Sequence, residues 1–173
     1  PAIIQTFIRR NCVITQSHRS AEKNDEQIVF VVDDEPDVRA ALRLLIKSVG
    51  YKVECFASAD EFFDQFDDER KGCLILDVRM PGMSGMDLQE KLAAMETLLP
   101  IIMISGHGEI PMAVKAVQNG AIDFLQKPFS DQQLLDRISQ ALSINDQRHN
   151  EYSIQHDAEE KFNSLTPRER EIF

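Results

Sequence analysis

Apolar and polar positions along the chain follow two alternating patterns. Five short segments have the apolar pattern of strands, and they are 28-IVFVV-32, 51-YKVECFA-57, 73-CLILD-77, 101-IIMIS-105 and 122-IDFLQ-126. The first, third and fourth are nearly continuous apolar runs, which is typical of strands buried on both faces of a parallel sheet. The segments between them have apolar residues at helical spacing.

Helices are predicted from their start signals, stop signals and apolar spacing. The first opens at Pro36, where the missing N–H of proline costs nothing, and Gly50 ends it. Its predicted buried positions are Val38, Leu42, Leu45 and Val49. The last helix begins near Asp131, and its predicted buried positions are Leu135, Ile138 and Leu142. The three other helices are predicted from capping boxes at Ser58–Glu61 and Ser84–Asp87 and from apolar spacing over 111–119.

This strict alternation of strands and helices predicts the fold class. Short loops between parallel strands require right-handed crossovers, which place helices on both faces of the sheet. The predicted fold is therefore α/β, a doubly wound five-stranded parallel sheet with helices on both faces, followed by a helical linker. In such sheets, binding sites form at the carboxyl ends of the strands.

A change in composition divides the chain. Residues 28–145 carry the alternating pattern and are predicted to form one domain, preceded by residues 1–27, an extension of unknown role. Residues 146–164 are polar and are predicted to form a solvated linker helix. A coiled coil is the alternative, but Asn145 and His149 place polar side chains in its heptad positions.

Composition and charge restrict the function classes. The chain carries a net charge of −10 and no strongly basic segment, so no part of it is predicted to bind a nucleic-acid backbone by itself. No apolar run approaches the roughly 20 residues of a membrane span. Three cysteines without metal-ligand spacing indicate a reducing compartment, and we expect a cytoplasmic protein that does not enter the membrane.

Charged and hydroxyl side chains follow four of the predicted strands. Asp33 and Asp34 come after the first strand, Asp77 ends the third, Ser105 ends the fourth and Lys127 follows the fifth. All five are expected to converge on one edge of the sheet. Because clustered carboxylates raise one another's proton affinity, a bound cation is favoured, and Mg²⁺ suits carboxylate, water and phosphate oxygens.

A carboxylate beside a metal ion can attack phosphorus, and we predict that chemistry at this edge. The Ser105 hydroxyl and the Lys127 ammonium, together with Mg²⁺, could stabilise the phosphoryl oxygens, and Gly106 leaves room for them. Taken singly, each residue is also a common turn, loop or helix-start residue. Their occurrence in order at four strand ends is what favours the site.

Four motifs resemble the bacterial two-component response-regulator receiver domain, and they are 31-VVDDEP-36, 76-LDVRMPGMSG-85, 104-ISGHG-108 and 124-FLQKPF-129. The resemblance covers about residues 27–145 and implies a flavodoxin-like sheet with strand order 2-1-3-4-5. The segment 106-GHGEIPMAVKA-116 is similar to the FixJ-like branch of these regulators. The segment 165-LTPREREIF-173 resembles the start of a LuxR-type helix-turn-helix domain, which we expect to be truncated here.

The resemblance implies a phosphoacceptor and a metal site. Asp77 would accept the phosphoryl group. Mg²⁺ would be bound by the side chains of Asp34 and Asp77 and by the backbone carbonyl of Arg79. Asp33 would act on the metal largely through water.

The resemblance also implies which residues contact the phosphoryl group and respond to it. Ser105 and Lys127 would contact the group, and the Lys127–Pro128 peptide bond would be cis. Phe124 would be the switch aromatic, for which a plain core aromatic is the alternative. His107 and the Arg79 side chain would lie near the rim and tune loss of the phosphoryl group, unless they are simple exposed loop residues.

The function implied is a receiver that takes a phosphoryl group from a sensor histidine kinase. The phosphorylated chain would form a homodimer through the face of about residues 110–140, and a C-terminal domain beyond this chain would bind DNA. The only chemistry would be self-phosphorylation and self-dephosphorylation. The alternatives are a phosphorylation-independent interaction module and an Asp-nucleophile phosphohydrolase. Arg79 argues against the hydrolase, because such enzymes have a second carboxylate two residues after the nucleophile.

Overall fold

The apolar runs form a single sheet, and the amphipathic segments pack on its two faces. This computed structural model describes residues 27–106 and 110–164 of the chain. The proposed N-terminal extension up to residue 26, His107 and the segment 165–173 lie outside the described residues.

Parallel pairing joins all five strands. They are β1 (Ile28–Val32), β2 (Lys52–Phe56), β3 (Gly72–Asp77), β4 (Ile101–Ser105) and β5 (Asp123–Gln126). The strand order is β2-β1-β3-β4-β5, so the predicted doubly wound α/β fold and its strand order are confirmed. Each predicted strand limit is correct to within one residue.

In the part of the chain that the structure describes, five helices alternate with the strands. They are α1 (Pro36–Ser48), α2 (Ala59–Gln65), α3 (Gly85–Ala94), α4 (Ile110–Gln118) and α5 (Asp131–Ser164). The Ser84–Asp87 capping box at the start of α3 is complete, with both reciprocal hydrogen bonds formed. The box predicted at α2 is half formed: Ser58 accepts a hydrogen bond from the Glu61 N–H, but the Glu61 carboxylate accepts one from the Ala57 N–H instead of closing the box.

The hydrophobic core lies in two layers, one on each face of the sheet. The first layer packs the sheet against α2, α3 and α4, and its fully buried large side chains include Phe30, Phe62, Leu74, Leu76, Leu88, Leu92 and Met103. The second layer packs the sheet against α1 and α5, and its fully buried large side chains include Ile46, Ile75, Ile102, Ile104 and Leu134. The central strands are thus covered on both faces, as their continuous apolar runs predicted.

The predicted inward faces of α1 and α5 are partly wrong. Val49 is 47% exposed, because α1 ends at Ser48 and Val49 leaves the helical path with φ −100° and ψ 9°. Ile46, which was not among the predicted positions, is fully buried. In α5, Leu134 is fully buried, whereas the predicted Leu135 is only half-buried.

The last helix is one continuous element. It runs through the segment predicted as a linker, so residues 146–164 form its second half. Its buried stripe ends at Asn145, and every described side chain from 150 to 158 is exposed. No helix within 27–106 and 110–164 is both long enough and apolar enough to cross a membrane.

The core assignment is tested by one substitution made in two places. Leu92 of α3 is fully buried, and Leu44 of α1 is 73% exposed. We expect Leu92→Ala to lower the free energy of unfolding by about 2–5 kcal/mol, because it removes buried methyl groups and leaves a cavity. Leu44→Ala should change it by less than about 0.5 kcal/mol. Urea denaturation followed by circular dichroism measures both, and equal effects would contradict the two-layer core.

Candidate functional site

Polar side chains are buried at one edge of an otherwise apolar sheet. Asp33 follows β1, Asp77 ends β3 and Ser105 ends β4, and all three are buried. These positions are the carboxyl ends of adjacent parallel strands, so strand order alone brings them together. The structure therefore places the predicted site at the expected edge.

Lys127 joins the carboxylates of two strands. Its ammonium lies 2.8 Å from Asp33 Oδ2 and 2.9 Å from Asp77 Oδ1, with Glu35 Oε1 farther away at 3.9 Å. Lys127 follows β5, and its backbone N–H donates to the Ser105 carbonyl at 2.8 Å, which fixes the chain beside β4. The Lys127–Pro128 peptide bond is cis, as the resemblance implied.

Backbone hydrogen bonds orient the other carboxylate oxygens. The Glu35 N–H donates to Asp33 Oδ1 at 2.9 Å, and the Arg79 N–H donates to Asp77 Oδ2 at 2.8 Å. Each aspartate thus uses one oxygen for a nearby N–H and the other for Lys127. This arrangement holds both carboxylates in defined orientations.

Burial and ion pairing oppose each other in this cluster. Burial raises the pKa of the Asp77 carboxyl above its ordinary value, and the hydrogen bonds from Lys127 and the Arg79 N–H offset this only in part. Burial lowers the pKa of Lys127, but its hydrogen bonds with Asp33 and Asp77 outweigh that effect and raise the pKa above the ordinary value. Lys127 is therefore an ammonium at neutral pH, and the negative charge of Asp77 is incompletely compensated.

Two glycines shape the space around Asp77. A Cβ on Gly85, the first residue of α3, would lie 2.0 Å from the Asp77 carbonyl oxygen, so only glycine lets α3 start against this strand end. A Cβ on Gly106 would meet nothing within 4 Å. Among the described residues, no atom crowds this position, and the room for the phosphoryl group beside Ser105 stays a prediction.

The predicted switch residue lies on the edge strand beside β4. Phe124 pairs in register with Met103, is half-buried, and packs against the core layer shared with α3 and α4. Ser105 pairs with Gln126 at the end of the same ladder. The switching role of Phe124 stays a prediction.

The predicted metal ligands are only partly gathered. Lys127 forms ion pairs with Asp33, Glu35 and Asp77, and none of these pairs involves Asp34. Asp34 is half-buried in the loop after Asp33, and the side chain of Arg79 is exposed. Among the residues that the structure describes, no three carboxylate, imidazole or thiol side chains are arranged to hold a metal ion. Mg²⁺ needs less, because it binds through one or two carboxylates and keeps several waters.

The donor chemistry nevertheless fits such a cation. Asp33 and Asp77 offer only oxygen atoms, and the carboxylates of both share one ammonium. Burial raises the pKa of the Asp77 carboxyl, and a cation beside it would oppose that effect. The individual ligand assignments stay predictions.

Two residues beside the site were missed by the sequence analysis. Glu35 contributes both its N–H and a third carboxylate near Lys127. Arg39 Nη1 donates to the Asp33 carbonyl oxygen at 2.6 Å and so ties the loop to α1. Arg39 lies one helical turn after Glu35, and that spacing was the one signal that could have indicated it.

The fold and the site together define a class of protein, a flavodoxin-like α/β domain with a lysine-paired acidic site at its switch edge. Residues 29–139 match the model of the response regulator receiver domain family. The chain therefore belongs to that family.

Known relatives include transcriptional regulators. The chain is 44% identical to the response regulator protein TmoT of Ectopseudomonas mendocina over 157 residues, which is 91% of this chain and 71% of TmoT. It is 36% identical to the transcriptional regulatory protein FixJ of Bradyrhizobium diazoefficiens, over 83% of this chain and 70% of FixJ. A low-resolution structure of the response regulator StyR superimposes with a TM-score of 0.79 at 49% identity, covering 83% of this chain and 72% of that one.

The incompletely compensated charge of Asp77 has a consequence for stability. Because the pKa of Asp77 is higher in the folded state than in the unfolded state, protonation of Asp77 stabilises the folded state at low pH. This stabilisation is lost as the pH rises through the pKa of the folded state. With a chelator present, Asp77→Asn should therefore raise the melting temperature at about pH 7, and the gain should shrink toward about pH 4. Calorimetry at both pH values measures this. A lower melting temperature for Asp77→Asn at neutral pH would contradict the incomplete compensation of the Asp77 charge.

Proposed function

We propose that Asp77 is the phosphoacceptor of this receiver and that its phosphorylation switches a transcriptional regulator. The observation that carries the proposal is a carboxylate only 6% exposed, at the end of the central strand, with an ammonium 2.9 Å away. A carboxylate whose pKa is raised by burial is a better nucleophile than an ordinary aspartate, and the Lys127 ammonium beside it would help to neutralise the charge on the phosphoryl oxygens of the acyl phosphate.

Phosphoryl transfer would use the contacts already present. An Asp77 oxygen forms a bond to phosphorus while the bond from phosphorus to the donor breaks, the donor being a histidine nitrogen of a sensor kinase. Lys127 then turns its ammonium toward the transferred oxygens, and the Ser105 hydroxyl donates to them. Asp34, Asp77 and the Arg79 carbonyl would hold Mg²⁺, with Asp33 acting through water, and the ion would neutralise the charge on the phosphoryl group.

The phosphorylated state would then be read by a change in population. Movement of Ser105 toward the phosphoryl group leaves space that the half-buried Phe124 fills. Since Phe124 packs against the layer containing α4, its inward rotation biases the position of that helix.

A phosphohydrolase fits this arrangement less well. The position two residues after Asp77 is Arg79, which is exposed and cannot act as a general acid or base at neutral pH. The chain is accordingly a signalling domain whose own chemistry is self-phosphorylation and self-dephosphorylation. A sensor histidine kinase and a DNA-binding output domain are the partners that this role requires, and the cytoplasm is the compartment in which we place the chain.

The exposed face of α4 is the proposed dimer contact within residues 110–140. Ile110, Val114 and Val117 lie on one face of α4 and are all exposed, Ile110 to 78%. An apolar stripe of this kind on a surface helix is typical of a protein interface. A second phosphorylated copy would cover it.

Phosphorylation itself is tested with Mg²⁺ and a small acyl phosphate. Intact mass spectrometry should find one phosphoryl group on the chain and none on Asp77→Asn. Asp64→Asn, which alters an exposed aspartate on α2, is the matched control and should be modified normally. Absence of an adduct even with the cognate kinase would refute the receiver function, and rapid release of many phosphates per chain would favour a hydrolase.

Dimerisation is tested by a charge placed in the apolar stripe. Val117→Asp should weaken the phosphorylated dimer by about tenfold or more, because a carboxylate would be desolvated in the contact. Analytical ultracentrifugation of the phosphorylated chain measures this. Leu44→Asp carries the same charge on α1 and should dimerise normally; if both variants behave like the wild type, the interface lies elsewhere.

A further inference from the structure

Asn145 occupies a buried position at the opposite end of the sheet from the site. It lies on α5 and is fully buried. Its Oδ1 accepts a hydrogen bond of 2.8 Å from the Gly72 N–H, and its Nδ2 donates to the Leu98 carbonyl at 3.1 Å. Both halves of the amide are thus used, as a buried polar group requires.

The two partners of Asn145 belong to the two strands that carry the site. Gly72 is the first residue of β3, which ends at Asp77, and Leu98 lies in the loop that leads into β4, which ends at Ser105. The backbone bond from the Leu74 N–H to the Pro100 carbonyl, 2.9 Å long, joins the same two segments. A single side chain of α5 therefore holds the starts of the phosphoacceptor strand and of the hydroxyl strand.

Neighbouring contacts support this attachment. Arg148 Nη1 donates to the same Leu98 carbonyl at 3.4 Å, and Gln27 Nε2 donates to the Leu142 carbonyl at 2.8 Å. Leu142 itself is buried in the core layer of α1 and α5. The helix is therefore held on both sides of Asn145.

The part of α5 that follows these contacts differs from the part that packs on the sheet. All described side chains from 150 to 158 are exposed, and the segment is polar. An isolated polar helix of this length is marginal in water, because starting a helix is unfavourable. The outer half of α5 therefore persists because it continues from a turn that is already fixed at Asn145.

We infer that Asn145 is a positioning residue that couples the linker half of α5 to β3 and β4. Through it, the direction and the helicity of residues 146–164 follow the two strands whose other ends carry Asp77 and Ser105. This connection is separate from the α4 face, and the part that concerns phosphorylation rests on the proposed function.

Hydrogen exchange of the full chain, resolved by peptide mass spectrometry, tests the inference. Asn145→Ala should make amides of residues 146–158 exchange roughly fivefold to thirtyfold faster, as expected for loss of one or two kcal/mol of local stability. Alanine has the higher intrinsic helix propensity, so propensity alone would slow exchange. Gln147→Ala, which changes an exposed side chain of the same helix, is the matched control and should not accelerate exchange.

The coupling is tested by adding Mg²⁺ and the acyl phosphate to the same samples. In the wild type, exchange of residues 146–158 should change once Asp77 is modified. Asn145→Ala should acquire the same adduct by intact mass, but its linker exchange should no longer respond.

Each result decides one part. If residues 146–158 of Asn145→Ala exchange as slowly as in the wild type and respond to phosphorylation in the same way, the inference is overturned. It is also overturned if the wild type acquires the adduct but the exchange of its linker does not change. Absence of an adduct would overturn the proposed function, while the exchange rates without donor would still test the anchor. If Asn145→Ala does not fold, Arg148→Ala tests the attachment of α5 to the sheet instead. We expect this variant to accelerate the exchange of residues 146–158 by a smaller factor, and unchanged exchange would overturn the inference.

Discussion

The contact on which this structure depends is the one between the Lys127 ammonium and the carboxylates of Asp33 and Asp77. Two charges buried at a sheet edge would each cost several kcal/mol if unpaired, and removing the shared cation would leave both in that state. One ammonium cannot fully compensate two carboxylates, which is why burial still raises the pKa of Asp77. The site is folded, but its charge is left unbalanced in the direction that attracts a cation.

That imbalance is also what makes the edge reactive. Burial raises the pKa of Asp77, which makes its carboxylate more basic and a better nucleophile, and the acyl phosphate formed would carry its charge on phosphoryl oxygens that Lys127 and a cation can neutralise. A glycine beside Asp77 leaves the space that this strand end requires. Gly85 lets α3 begin directly against the end of the strand that carries Asp77.

Much of this arrangement could be predicted from the sequence, for identifiable reasons. Continuous apolar runs indicate buried parallel strands, and parallel strands end at one edge, so the positions of Asp33, Asp77, Ser105 and Lys127 followed from topology. Val49 was placed wrongly because periodicity does not show where a helix ends. Residues that act through tertiary contacts gave weaker signals. Arg39 binds a backbone carbonyl outside its own helix, and its spacing from Glu35 was the only sequence signal for that bond.

Asn145 shows the same limit more sharply. The sequence analysis counted it as a polar defect in a possible coiled coil, yet its amide is buried and satisfied by two strands. Polar residues at apolar spacing can thus be core residues when backbone groups at the end of a sheet supply their partners.

β3 and β4 are covered on both faces by close-packed side chains, and strands packed in this way move as units rather than deforming gradually. A change at Asp77 or Ser105 therefore acts on strands whose starts are held by α5 at Asn145. The side chains of residues 150 to 158 are exposed, so the order of this part of α5 would depend on the sheet to which Asn145 attaches it, and that attachment would connect the acidic edge with the linker helix.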